Sequence, residues 1–76
     1  VIILIAKVEV GREVEVAEKL AKIPEVKSVY LLTGEYDVLA EIDIIDVEPG
    51  IDFILENVRK IKGITSTRTI FTKKIK

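Results

Sequence analysis

Val26-Lys27-Ser28-Val29-Tyr30-Leu31-Leu32, the break Thr33-Gly34-Glu35 and the run Tyr36-Asp37-Val38-Leu39-Ala40-Glu41-Ile42 decide the fold. Both runs are rich in β-branched, aromatic and aliphatic residues, and Tyr36, Val38, Ala40 and Ile42 recur every second position, which places them on one strand face. A break this short has no room for a crossover, so the two runs predict an antiparallel hairpin over 26–42.

Upstream of the hairpin, Val1 to Val8 reads as a strand that is apolar on both faces as far as Ala6. Gly11 breaks it. From Glu13 the apolar positions Val14, Ala17, Leu20 and Ala21 fall at helical spacing, and Pro24 ends that helix. Downstream, Pro49-Gly50 reads as a helix entry, Ile51, Ile54, Leu55, Val58 and Ile61 form the clearest helical stripe, and Gly63 fits a C-terminal cap. Ile64 to Thr72 is a last strand, rich in threonine.

The order is therefore βαββαβ, and its halves echo each other: Ile23-Pro24-Glu25-Val26-Lys27-Ser28-Val29 aligns with Ile61-Lys62-Gly63-Ile64-Thr65-Ser66-Thr67. Right-handed crossovers in both halves put the two helices on the same face of a four-stranded antiparallel sheet, a ferredoxin-like α+β fold. The other face is left bare. Val1 to Ala6 and Val29 to Leu32 are apolar on both sides, which calls for a second cover, and another copy of the chain can supply it. A β-rich sequence that tolerates exposed apolar residues is the alternative.

At 76 residues the chain holds one domain, 1–76. A monomer of 8.5 kDa is expected to expose ~4,600 Å² and to be thinly stable alone. With neither cysteine nor histidine there is no thiolate nucleophile, no sulfur zinc site and none of the usual general base near neutral pH, so no catalytic residue, enzyme activity or cofactor is expected. Balanced charge, 12 basic and 13 acidic residues, gives no broad reason to bind nucleic acid or anionic lipid, and the basic end Lys73-Lys74-Ile75-Lys76 reads as a solvated tail. No apolar run approaches the ~20 residues of a spanning helix, so the expectation is a soluble, cytoplasmic protein with no membrane partner. Abundant Ile, Val, Lys and Glu, with no Met or Gln, match the bias of hyperthermophile proteins.

Two segments could carry binding. In Thr33-Gly34-Glu35-Tyr36-Asp37 the glycine permits close approach, neighbouring amides can face a carboxylate, and Asp37 can take an ammonium; equally, a hairpin turn can demand the glycine, with Asp37 accepting turn amides. Thr65, Thr67 and Thr69 share a strand face and can hydrogen-bond a polar ligand, or simply pack across the sheet. The acidic residues between Glu41 and Glu56 match no calcium-loop spacing, and a metal site is not expected.

Val29-Tyr30-Leu31-Leu32-Thr33-Gly34-Glu35-Tyr36-Asp37-Val38-Leu39 resembles the V-x-x-x-T-G-x-Y-D-[YV]-L segment of the effector domain, or RAM domain, of Lrp/AsnC-type feast/famine transcription regulators. Ile61-Lys62-Gly63-Ile64-Thr65-Ser66-Thr67-Arg68-Thr69 is similar to that family's L-P-G-V-x-x-T-x-T segment, with Lys62 where proline is usual, and Val8-Glu9-Val10-Gly11-Arg12 to the end of its first strand. The resemblance implies a domain that dimerises through its sheets, joins into octameric or decameric rings and holds an amino acid between dimers. It makes Thr33, Gly34, Tyr36, Asp37, Thr67 and Thr69 the expected contacts. The family's N-terminal helix-turn-helix has no counterpart in these residues, so the implied role is sensing and co-assembly with full-length regulators, without direct nucleic-acid binding. A purely structural association module is the alternative.

Overall fold

The computed structural model describes residues 1–76 and shows the expected order. Strand β1 (Ile2–Val8) leads through helix α1 (Glu13–Ala21) to β2 (Val26–Leu31) and β3 (Val38–Ile42); helix α2 (Val47–Phe53), extended by a π-helical turn over Ile54–Val58, precedes β4 (Ile64–Phe71). All strand pairs are antiparallel, in the order β2-β3-β1-β4, which defines a ferredoxin-like α+β fold.

The core follows from the two-residue period of the central strands. Ile2, Leu4 and Ala6 of β1 stand opposite Ile42, Ala40 and Val38 of β3, and all six are buried beneath the helices. Val16 and Leu20 from α1, with Phe53, Ile54 and Val58 from the second helical segment, complete it. Gly50 allows the closest approach between helix and sheet: a Cβ there would stand 2.4 Å from Ile2 Cδ1 and 3.1 Å from the Phe71 ring.

The internal repeat has a structural counterpart. Pairing to the inner strands skips one residue in each edge strand, Lys27 between Val26 and Ser28 in β2, and Thr65 between Ile64 and Ser66 in β4. These two residues are equivalent in the aligned halves, so each half carries the same bulge just after its strand begins.

Several sequence expectations shift in detail. Strand β3 begins at Val38, because Tyr36 belongs to the turn. Helix α2 begins at Val47 rather than at Pro49-Gly50, with proline still inside the first turn, where its missing N–H costs nothing. Gly63 closes a turn after the helix instead of capping it, and its carbonyl accepts the amide of Glu9 at 2.8 Å. On α1 the larger Val16 and Leu20 face the core, while Val14 and Ala21 are exposed on the flank toward β2. On the second helix the amide of Arg59 reaches back five residues to the carbonyl of Ile54 at 3.0 Å; Ile51 and Leu55 lie outside and Phe53 inside.

The far side of the sheet is uncovered. Ile3, Ile5 and Lys7 of β1 point there beside Leu39 and Glu41 of β3, with Tyr30 and Ser28 of β2 and Arg68 and Ile70 of β4 at the edges. Tyr30 is 53% and Ile70 42% exposed. The chain exposes 5,314 Å², against the ~4,600 Å² typical of a monomer of its mass. The excess is what an open sheet face produces.

Candidate functional site

The turn between β2 and β3 is closed by the Leu32 amide donating to the carbonyl of Asp37 at 2.8 Å. Inside it Gly34 has φ +112°, a conformation that side chains strain to adopt, and nothing lies within 4 Å of where its Cβ would be. Thr33, Gly34 and Glu35 are exposed, so the peptide units of the turn face solvent. Glycine here is a demand of the backbone, and it also leaves the turn open to an approaching molecule.

Asp37 is held from two sides. Its amide donates to the carbonyl of Ala6 at 2.9 Å, and its carboxylate Oδ2 accepts the amide of Val8 at 2.8 Å. The carboxylate therefore joins the turn to the end of β1 and accepts no turn amide, while its second oxygen has no hydrogen-bond partner within the chain. Beside it the ammonium of Lys7 lies 5.4 Å from the centre of the Tyr36 ring, within cation–π range. Lys7 belongs to the open sheet face, so Tyr36 stands at that face's edge.

Thr67 and Thr69 are placed elsewhere. They pair with Ala6 and Leu4 and so share the helix side of the sheet, whereas Ser66 and Arg68 share the open side. Ala6 separates Val38 from Thr67, so backbone at the turn and backbone at Thr67 stand roughly 10 Å apart, two strand spacings. Within one chain the six expected contact residues form two groups, Thr33 to Asp37 on one side of β1 and Thr67 with Thr69 on the other. Thr65 donates its hydroxyl to the carbonyl of Lys7 at 3.2 Å, as cross-strand packing would have it.

The second group lies beside two adjoining clefts between the helical segment and β4. One, of about 410 Å³, is lined by Arg59, Ile64, Thr65, Ser66 and Thr67. The other, of about 180 Å³, is lined by Ile51, Ile54, Leu55, Arg59, Thr69 and Phe71. Arg59 belongs to both and forms no salt bridge. Its role was not visible in the helical stripe; the signal was the run of basic residues around it, Arg59-Lys60 and Lys62. A third, apolar groove of about 270 Å³ runs between α1 and β2, where Val14, Ala17 and Ala21 meet Val29 and Leu31. Nowhere do three carboxylates converge as a metal ion would need, and no helix is long and apolar enough to cross a membrane.

Fold and site together define a small α+β module with an open sheet face, a solvent-facing glycine turn and ligand-sized clefts at one edge. The chain belongs to the family described as the Lrp/AsnC ligand binding domain, whose model matches residues 2–75. Among curated proteins it is similar to the HTH-type transcriptional regulator FL11 of Pyrococcus furiosus, 38% identical over 72 residues that cover 95% of this chain and 47% of that protein. In general it spans about two fifths to one half of the curated regulators it matches. Among solved structures, FFRP-DM1 matches with a TM-score of 0.88 at 33% identity, covering 95% of this chain and 96% of that one. The complex of transcriptional regulator NMB0573 with L-Met, from Neisseria meningitidis, matches with a TM-score of 0.83 at 25% identity, covering 97% of this chain and 49% of that one.

Proposed function

We propose that these residues form an amino-acid-sensing and self-associating module of an Lrp/AsnC-type regulatory system, in which transcription is influenced without direct DNA contact by the 76 residues themselves. The observation that carries this reading is the turn at Gly34, strained toward glycine, open on its outer side and fastened to β1 by Asp37. Solvent-facing peptide units suit an α-carboxylate, and the unengaged oxygen of Asp37 suits an α-ammonium. The L-Met complex of the Neisseria relative supports an amino acid as the ligand class.

Because the turn and the Thr67–Thr69 group lie on either side of β1, a ligand that uses both must sit where copies of the chain meet. Dimers formed through the open sheet face, joined further into octameric or decameric rings, provide such junctions, and full-length regulators of the family are the natural partners for mixed assembly. The setting is the cytoplasm. Calorimetry of the 76-residue chain against the set of amino acids tests the reading. Binding of at least one of them, lost in Gly34→Val while the melting transition persists, is the expected result; silence across the whole set overturns it.

A second reading has its own observation. The open face with Ile3, Ile5, Leu39 and Ile70 exists whether or not any ligand binds, which favours a structural association module. Light scattering with and without amino acids separates the two, since assembly that ignores every amino acid supports the structural role.

A further inference from the structure

We propose a second ligand site, independent of the Gly34 turn, in the paired clefts between the helical segment and β4, and that its ligand is a small aliphatic monocarboxylate without an ammonium group, such as a 2-oxo acid. Three observations converge on Arg59. Its guanidinium is the element common to a polar cleft and an apolar one. It has no acidic partner, and the hydroxyls of Ser66 and Thr67 in the polar cleft make no hydrogen bond within the chain. Its backbone sits at the end of the π-helical turn, an irregularity that gives up regular i→i−4 bonding and sets where the side chain leaves the helix.

The two clefts divide the ligand's chemistry. An unpaired guanidinium beside hydroxyl donors binds a carboxylate through charge-assisted hydrogen bonds. From that point the apolar cleft of Ile51, Leu55 and Phe71 continues the groove and accepts an aliphatic chain, removing it from water. An ammonium has no counterpart there. Neither cleft is lined by a carboxylate, and from Asn57 to Lys76 every charged side chain is basic. A cation one carbon from the bound carboxylate would face Arg59 with nothing to compensate it, so the site discriminates against an amino acid and in favour of the 2-oxo acid of the same skeleton.

The test is calorimetry on the 76-residue chain with 4-methyl-2-oxopentanoate and L-leucine as probes. The oxo acid is expected to bind, and any L-leucine binding at this site to be at least tenfold weaker. Arg59→Gln should weaken the oxo acid at least tenfold with an unchanged melting temperature, because Arg59 is exposed and its backbone bond is retained. Leu55→Asp, which places a charge in the apolar cleft, should do the same, and Gly34→Val should leave oxo-acid binding intact. No binding of the oxo acid, equal binding to Arg59→Gln, or loss of L-leucine and oxo acid together in Gly34→Val would each overturn the proposal. Failure of the amino-acid reading alone would show as oxo-acid binding with no amino acid bound at the turn.

Discussion

The carboxylate of Asp37 accepts the backbone amide of Val8 at 2.8 Å, a bond between residues 29 positions apart that fastens the β2–β3 turn to the last residue of β1. One residue thus has two uses, one oxygen fixing the turn and the other free for a ligand. Replacing Asp37 by alanine leaves the Val8 amide unpaired in a half-buried position and should cost about 1–3 kcal/mol. For a domain of this size that is a fall in melting temperature of roughly 4–20 °C. Asp37→Asn keeps an acceptor and should lose less than half as much. Thermal unfolding of the three proteins checks this, and an alanine variant that melts with the parent would mean that the bond carries no stability.

At Gly34 the penalty is confined to the backbone. Because nothing lies near the missing Cβ, Gly34→Ala meets no clash, yet it must hold φ near +112°. A destabilisation of about 1–2 kcal/mol is expected from strain of this kind. Urea unfolding should show it as a lower midpoint with an unchanged slope.

The hairpin, the element order and the repeat were legible because they rest on local signals: period-two runs, a short glycine break and a proline after α1. What was not legible depended on partners distant in sequence. Val14, Ala17, Leu20 and Ala21 satisfy a helical period, but the sheet ends beneath one flank of α1, so Val16 and Leu20 take the core and Val14 is left at 57% exposure. The stripe Ile51, Ile54, Leu55, Val58 and Ile61 assumed 3.6 residues per turn throughout, and the π-helical turn changes the phase from Ile54 onward, so Phe53 turns inward and Leu55 outward. At the candidate site the turn was readable from Gly34, whereas the Asp37–Val8 bond and the place of Arg59 between two clefts required the strand order.

Gly50 and Ile2 should be energetically coupled. A methyl group at Gly50 improves helix propensity by about 1 kcal/mol but meets Ile2 Cδ1, which is buried and has little space to retreat. Ile2→Val removes that carbon at a cost of about 0.5–1.5 kcal/mol. In a double-mutant cycle the pair should therefore be more stable than the sum of the single changes predicts, by at least about 0.5 kcal/mol. Additive single effects would show that the helix backs away from the sheet instead.

The open sheet face makes the sharpest claim about association. Ile5 lies at its middle, flanked by Leu39 on β3 and Arg68 on β4, and its side chain points away from the helices and the core. Ile5→Lys therefore leaves the buried residues of the monomer in place while setting an ammonium where two faces would meet, and opposed copies would bring two such charges together. The parent chain should scatter light as a dimer or larger assembly at micromolar concentration, and Ile5→Lys as a monomer with retained far-ultraviolet circular dichroism. Its melting temperature should also lose the concentration dependence that an associating protein shows. If Ile5→Lys keeps the parent's mass, the copies meet elsewhere, and the apolar groove between α1 and β2, lined by Val14, Ala21 and Leu31, becomes the surface to alter next.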